Sequence, residues 1–508
     1  MKYIDRQAAL ALAALLVLVA AVGALPLLLA RSETPSTAAG LVPADALAYV
    51  RVGTDPESEE DRRLAATVLR LPGSTRVRDR LLAALAPAGG VDLRRDVRPW
   101  LGDEAAVALL PTGGGRFGSA VLATVERRPA AEALLQRAGA ERAGVRYRGI
   151  VVRRFGTGAA AFVEDYLVAG PEPAVRAVID TAEGSRSSLG ESEAFEAALA
   201  ETPEDAPLQA YASPTGVRGL GRAQPGVIGV LAGLLDHPRL RAAGLSGRTD
   251  GARVKLSARR VGAGGASYAP VLLARAPGDA VAYAGAPSAA ALAALLGRLG
   301  AGPALARLRS ALPESAGVDL DRDLLGPLRG EAAFWATPGG AAPVLTLAAR
   351  TRDPRRTRDA LARLQGPVST LLAGDPQGAA AFESADLAGL QGFTLPATPL
   401  FAPTYAVTED TLILSTAPAG LEGFARRQGR RLPAVPTFKS AIPEVPAKVE
   451  AVGFLDPRRL LALAEQSGLT DGPLSGEARD DLRRVRAAGA VVQRKETDTT
   501  AELIFEIP

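Results

Sequence analysis

The sequence predicts an α+β protein: an N-terminal transmembrane helix followed by two tandem, duplicated α+β domains with mainly antiparallel sheet. Three observations lead to this fold class. A long apolar run lies near the N-terminus, a series of segments recurs in the same order along the chain, and adjacent hairpin strands outnumber crossover helices.

The composition is that of a folded protein with more than one domain. The chain has 508 residues, of which 47% are hydrophobic and 22% charged, so it has enough apolar material for real cores. It contains no cysteine, which excludes disulfides, thiol catalysis and thiolate metal sites. Its net charge is only +4, and this argues against nucleic acid as a partner.

The first element is the apolar run from Ala8 to Ala30, which contains no charged residue. At about 1.5 Å per residue it is long enough to cross a hydrocarbon core of about 30 Å. Lys2 and Arg6 precede it and place residues 1–7 in the cytoplasm by the positive-inside rule. The run exceeds the apolar core of about 7 to 15 residues in a cleaved signal peptide, so an uncleaved anchor is favoured over cleavage. Residues 31–41 then form a tether, and the rest of the chain lies outside the cell.

The duplication is predicted from segments that recur in one order. VPADALAYV from Val42 returns as APGDAVAYA from Ala276, and AFVEDYLVAG from Ala161 returns as AVTEDTLILS from Ala406. The offset runs from 227 residues, between Glu104 and Glu331, to 245 residues, between Asp165 and Asp410. Such a period is far longer than that of a solenoid, so each copy is a domain. We assign repeat domain one to 42–262, a linker to 263–274 and repeat domain two to 275–508.

Within each copy the pattern alternates between strand and helix. A turn at Pro43-Ala44-Asp45 precedes a first strand, LAYVRV, and the second copy has the equivalent turn at Pro277-Gly278-Asp279. Later segments predict strand pairs, among them a hairpin at Glu164-Asp165, and amphipathic helices such as EPAVRAVIDTAEG and SEAFEAALA. This succession favours antiparallel over parallel sheet.

The opening PAD-x-LAYV, the segment PWLGDE from Pro99 and the segment SEAF from Ser192 resemble a bacterial family known as domain of unknown function 3352. The second copy departs from the most specific of these motifs, carrying GPLRGE from Gly326. The resemblance covers the chain after the anchor and implies a membrane-anchored protein of the bacterial cell envelope. It carries over no catalytic residue.

Isolated motifs for chemistry are weak. His237 is the only histidine and the second copy has no counterpart, so a solvated or capping role is favoured over a catalytic triad. PTGGGRFG from Pro111 lacks the lysine of a phosphate loop and is interpreted as a hairpin loop, and Ser246 lacks the pattern of a nucleophile elbow.

Acidic residues offer three candidates. Asp319, Asp321 and Asp323 resemble the start of a calcium loop, but Leu324 and Gly330 stand where the loop needs glycine and glutamate. The matching segment of copy one, Asp92 to Asp96, lacks the middle acid, and helix-initiating acids are the favoured interpretation.

The acid pairs Glu164-Asp165 and Glu409-Asp410 are interpreted as hairpin turns. Glu104 and Glu331 recur just before a strand, either as buried partners of an arginine or at an exposed helix end.

Clusters of arginine fall on predicted helices, at Arg426-Arg427 with Arg430-Arg431 and at Arg483-Arg484 with Arg486. They are interpreted as solvated faces, with contact to anionic lipid or envelope polymers as the functional alternative.

No catalytic, cofactor-binding or metal-binding residue is predicted. The leading expectation is a single-pass membrane protein whose duplicated extracytoplasmic module binds or scaffolds without catalysis. The alternatives are a carrier of lipid or another small apolar ligand, and an envelope hydrolase that uses carboxylates alone. The expected partners are the membrane, reached through the N-terminal helix, and an envelope protein, lipid or anionic polymer.

Overall fold

The structure is a computed structural model that describes residues 37–55, 58–59, 93–113, 116–141, 143–156, 158–203, 206–223, 235–251, 253–297, 322, 325–340, 342–373, 380–397, 401–426, 429–466 and 483–507. These residues form an α+β protein with mainly antiparallel sheet, as the sequence predicts. The predicted anchor, Ala8 to Ala30, lies outside them. Within the described ranges, no helix has both the length and the apolar character needed to cross a membrane.

The chain divides into two compact units. Unit 1 ends at Gly264 and unit 2 begins at Gly265, a division that falls inside the segment 263–274 for which we predict a linker. Unit 1 also includes Lys495–Thr500 near the C-terminus. There the Asp498 carboxylate accepts hydrogen bonds from the Arg259 guanidinium, at 2.7 Å, and from the Gly262 N–H, at 2.8 Å.

Ten strands are described in unit 1, and each pairs with its neighbours in antiparallel fashion. They are β1 (Ala48–Gly53), β2 (Leu101–Gly113), β3 (Arg116–Val125), β4 (Val145–Tyr147), β5 (Ile150–Phe155), β6 (Gly158–Val163), β7 (Tyr166–Gly170), β8 (Leu208–Ala212), β9 (Ala242–Asp250) and β10 (Arg253–Val261). Their order across the sheet is β4-β5-β6-β7-β3-β2-β1-β8-β9-β10. The strand predicted to open the domain therefore lies near the middle of the sheet.

Helices cover both faces of this sheet. They are α1 (Ala38–Leu41), α2 (Arg128–Arg137), α3 (Glu172–Ala182), α4 (Glu193–Leu199) and α5 (Pro214–Ala223). Successive residues of a strand point to opposite faces, so Ala106 packs in the core that contains α3 and Ala105 in the core that contains α2. The first core also contains Ala38, Ala39 and Leu41. Packing therefore extends to residues 38–41, the last part of the segment 31–41 for which we predict a tether.

Ten further strands are described, which belong to unit 2 apart from Lys495 and residues 498–500, and they follow the same order as those of unit 1. They are β11 (Ala282–Ala286), β12 (Ala332–Thr337), β13 (Val344–Arg350), β14 (Glu383–Leu387), β15 (Leu390–Thr394), β16 (Thr404–Val407), β17 (Thr411–Ser415), β18 (Ala451–Leu455), β19 (Ala487–Lys495) and β20 (Asp498–Glu506). Across the sheet they run β14-β15-β16-β17-β13-β12-β11-β18-β19-β20.

Both faces of the second sheet are also covered. The helices are α6 (Ala289–Leu296), α7 (Pro354–Ala373), α8 (Pro418–Ala425), α9 (Pro436–Ala441) and α10 (Pro457–Gln466), and a 3-10 turn spans Leu272–Arg275. Leu421 and Phe424 of α8 pack in one core with Trp335, whereas Leu292 of α6 and Leu361 of α7 pack in the other. Each unit is thus a sheet between two helical layers.

Candidate functional site

Glu104 lies inside β2, because this strand begins at Leu101 rather than after the glutamate. Its side chain points to the same sheet face as that of Arg51 on β1, and only 3% of the residue is exposed. The Arg51 Nε lies 3.3 Å from the Glu104 Oε2, and the Ala38 N–H at the start of α1 donates to Oε1 at 2.9 Å. Of the two interpretations left open by the sequence, Glu104 follows the first: it is the buried partner of an arginine.

Two tyrosines complete this group, which we call the unit 1 cluster: Tyr49, Arg51, Glu104 and Tyr166. Burial and the neighbouring Glu104 carboxylate raise the pKa of Tyr49 well above its ordinary value, and the same two causes raise the pKa of Tyr166. The Tyr49 hydroxyl makes no hydrogen bond of normal geometry to the described residues. Both phenols therefore stay protonated beside the ion pair.

Glu331 occupies the equivalent place in unit 2, next to β12. It is 6% exposed, and its two carboxylate oxygens accept the Leu272 N–H at 2.9 and 3.0 Å. Leu272 opens the 3-10 turn, so the carboxylate again holds the first N–H of a short helical segment.

Burial raises the pKa of the Glu331 carboxyl from 4.5 to about 7, although the N–H groups of Leu272 and Val271 and the charge of Arg350 all act to lower it. The Arg350 guanidinium pairs instead with Asp410, at 2.9 Å.

The arginine of unit 1 has no counterpart in unit 2, because Gly285 stands where β1 has Arg51. A Cβ atom at Gly285 would lie 2.6 Å from the Tyr268 hydroxyl oxygen and 3.0 Å from that of Tyr283. Tyr268 therefore fills the space that a larger residue at position 285 would need.

We call Tyr268, Tyr283, Glu331 and Trp335 the unit 2 cluster. Among the described residues, neither tyrosine hydroxyl nor the Trp335 indole N–H has a hydrogen-bond partner, although all three are buried. Burial raises the pKa of both phenols. The cluster thus combines one carboxyl group that can take up a proton near neutral pH with three unsatisfied polar groups.

His237 lies in a turn and Ser246 within a regular strand. The Arg239 N–H donates to the His237 Nδ1 at 3.2 Å, which stabilises a turn. Ser246 lies in the middle of β9, opposite Ser257 of β10 and Gln209 of β8. The serine of a nucleophile elbow is exposed on a sharp turn between a strand and a helix, whereas Ser246 lies within a regular strand.

The paired acids are turn residues, as predicted. Glu164 and Asp165 connect β6 to β7, and Glu164 has a φ of 49°, a left-handed conformation typical of a tight hairpin. Glu409 and Asp410 connect β16 to β17, where the Thr408 N–H donates to the Thr411 carbonyl at 2.9 Å. PTGGGRFG likewise joins β2 to β3, and Gly113 has a φ of 86°.

The calcium-like residues Asp319, Asp321 and Asp323 lie outside the described residues, as does Asp92. Asp96 is described and buried, and its carboxylate pairs with Arg95 at 3.2 Å and Arg137 at 3.0 Å. In the described part of the chain, no group of three or more acidic or imidazole side chains is placed to hold a metal ion.

The first arginine cluster differs from the prediction in its position. Arg426 follows α8 and pairs with Glu422 at 3.1 Å, but Arg430 and Arg431 lie beyond the helix, and Arg431 has an extended backbone. The Arg431 guanidinium donates to the Arg275 and Gly423 carbonyls, both at 2.9 Å. It therefore stabilises the chain locally rather than forming a solvated helical face. Arg427 lies outside the described residues.

The tyrosines of both clusters were missed at the sequence level, although a signal was present. Tyr49 and Tyr283 hold the same place in the repeated opening, and Arg51 is replaced there by Gly285. The recurring tyrosine and the replacement of arginine by glycine are both visible when the two segments are aligned residue by residue.

Comparison with protein families gives a match to Protein of unknown function (DUF3352) over residues 7–505. The chain belongs to this family. The expected family is thereby confirmed, and the match covers both units.

A comparison with curated proteins gives no match. Among solved structures, the chain is similar to TP0453 in crystal form I, with 10% identity and a TM-score of 0.27 over 46% of this chain and 82% of that one. Crystal form III gives 9% identity and a TM-score of 0.27 over 45% and 80% of the two chains. A likeness of this size supports no conclusion about fold or function.

Proposed function

We propose that this chain is a single-pass protein of the bacterial cell membrane whose two units arose by duplication and together serve as an extracytoplasmic binding or scaffold module, without catalysis. The anchor part of this proposal is supported by the spanning length of Ala8 to Ala30 and by the basic residues before it. Duplication is supported by the identical strand order of the two units.

One observation carries the scaffold part of the proposal. Glu104 and Glu331 are buried carboxylates at equivalent places in the two units, and each accepts the N–H of the first residue of a short helical segment. A carboxylate that is buried and oriented in this way positions backbone and presents little surface to a substrate. This favours a structural use of the repeated acids over the carboxylate-dependent hydrolase.

Membrane topology is tested with the full chain fused at its C-terminus to alkaline phosphatase, an enzyme that is active only outside the cytoplasm. We expect an active reporter that stays in the membrane after a carbonate wash. The variant Leu16→Lys with Val19→Lys should release or misplace the reporter, because charges at the centre of a spanning helix cost about 3 kcal/mol each. Leu16→Ile with Val19→Leu is the matched control. An inactive reporter on the intact chain would contradict the proposed topology.

Scaffold and carrier functions are separated by native mass spectrometry of the full chain extracted from its host membrane in detergent. A mass equal to the protein alone, apart from detergent, is expected for a scaffold. A lipid bound at one copy per chain would favour the carrier instead.

A further inference from the structure

The two units end in strands that are bonded on one side only. In unit 1 the outermost strand is β4, which pairs with β5, and in unit 2 it is β14, which pairs with β15. No other described strand pairs with either. The free side of an edge strand presents backbone N–H and C=O groups to which a further strand can bond.

The two free edges carry opposite charge. Arg146 on β4 and Arg148 just after it are exposed, and β4 has no acidic residue. On β14, Glu383 and Asp386 are exposed and no basic residue is present. Arg148 pairs with Asp180 at 2.6 Å, but neither Arg146 nor Glu383 forms an ion pair with any described residue.

An apolar side chain is exposed at or beside the edge strand of each unit. Val145 on β4 is 44% exposed, and Phe393 on β15, the strand beside β14, is 39% exposed. Each edge thus combines an apolar side chain with charge of a single sign.

We propose that β4 of one molecule adds to β14 of a second copy of this chain, so that molecules associate head to tail with Arg146 facing Glu383. Charged edges commonly prevent sheets from pairing, but here each edge repels only an edge of the same charge. Two β4 strands would bring arginines together and two β14 strands would bring carboxylates together, whereas β4 with β14 joins opposite charges. Because each chain carries one edge of each kind, the contact is heterologous and repeats from molecule to molecule. This inference deepens the scaffold function proposed above and rests on it.

Disulfide trapping in native membranes tests the contact, because the full chain contains no cysteine of its own. We expect chains with Val145→Cys and chains with Ser384→Cys, produced together, to form a mixed disulfide dimer under mild oxidation. Val145→Cys paired with Lys448→Cys is the control, since Lys448 is exposed in unit 2 and lies outside β14. Absence of the mixed dimer, or homodimers of Val145→Cys alone, would overturn the proposal.

Charge exchange separates strand addition from chance collision. Arg146→Glu in the Val145→Cys chain should lower the mixed-dimer yield about tenfold, because opposite charges across the contact become like charges. Glu383→Arg with Asp386→Arg in the Ser384→Cys chain should do the same, and combining both variants should restore the yield. A yield unaffected by these changes would overturn the proposal. Failure here leaves the phosphatase result unaltered, so loss of self-association and loss of the membrane topology are distinguishable.

Discussion

The two units have sheets of the same strand order, but they stabilise the buried carboxylate beside their first strand in different ways. In unit 1, Arg51 lies 3.3 Å from Glu104 and provides a positive charge. In unit 2, Gly285 takes the place of that arginine, Tyr268 fills the space, and Glu331 is left with backbone N–H donors. What stays constant is the bond from the carboxylate to the start of a helical turn.

This difference shows which part of the arrangement the fold requires. The carboxylate that holds the turn is present in both units, whereas its counterion is present in one. Burial without a close cation raises the pKa of Glu331 to about 7, so unit 2 meets the cost of burying the group by partial protonation rather than by pairing. Two experiments on the full chain test this contrast, and a third tests a separate difference between the units.

The largest effect is expected from Arg51→Ala. Removing one partner of a buried ion pair leaves the other charge uncompensated, and we expect unit 1 to lose about 3 kcal/mol of its free energy of unfolding. Each unit contains one tryptophan, Trp100 or Trp335, so fluorescence in a Trp335→Phe background follows unit 1 alone during urea unfolding.

Two variants control this experiment. Arg218→Ala breaks an exposed pair of unit 1, with Asp236, and should cost less than about 0.5 kcal/mol. Arg51→Ala with Glu104→Gln should recover much of the loss, because no unpaired charge remains. If the single and double variants lose the same stability, charge balance is not what Arg51 contributes.

The next effect is a pH dependence confined to unit 2. The pKa of Glu331 is higher in the folded protein, about 7, than the ordinary 4.5, so the folded state binds more protons between these values. The free energy of unfolding should therefore fall as pH rises from 4.5 to 7 and level off above it, by at most about 3 kcal/mol. Trp335 fluorescence in a Trp100→Phe background measures it.

Glu331→Gln is the matched variant, since its amide oxygen can still accept the Leu272 N–H while it cannot ionise. We expect the fall between pH 4.5 and 7 to disappear in this variant. A slope that persists would assign the titration to another group and remove the electrostatic contrast between the units.

The smallest effect sharpens the comparison at the contact between sheet and helix. β7 ends at Gly170 and Val175 of α3 follows, whereas β17 ends at Ser415 and Gly420 of α8 follows. A Cβ at Gly420 would collide with the hydroxyls of Ser415 and Thr346. In this pair of positions the larger residue is thus on the helix in unit 1, Val175, and on the strand in unit 2, Ser415.

We expect Gly420→Ala to cost about 2 kcal/mol through overpacking, measured by the unfolding of Trp335. Adding Ser415→Gly should recover part of this loss, because the pair then approaches the unit 1 arrangement. Additive losses in the double variant would show that the two positions do not compensate each other.

The elements with a strong local signal could be predicted from sequence. The turn at Glu164-Asp165 and the helix containing Val175 follow from alternation and apolar spacing, and both lie where expected. The full strand order could not be predicted, because pairing of β3 with β7 joins residues far apart in sequence and local patterns do not encode it.

The candidate site was predictable only in part. Recurrence singled out Glu104 and Glu331, but their burial and partners depend on which strand lies beside them. The replacement of Arg51 by Gly285 is visible in the sequence, whereas its reason, the Tyr268 hydroxyl beside that glycine, comes from a residue outside the aligned opening. The burial of Ala38 and Ala39 could not be predicted for a similar reason, because it depends on contact with residues distant in sequence.

Residues 495–500 delay the completion of unit 1 during synthesis. The Asp498 carboxylate accepts hydrogen bonds from Arg259 and the Gly262 N–H, so unit 1 is completed by residues that are translated after residues 265–494 of unit 2. A nascent chain that has emerged through residue 264 therefore lacks part of unit 1, and nearly the whole of unit 2 must be translated before unit 1 is complete. A premature stop ahead of Asp498 would thus damage the beginning of the protein as well as its end.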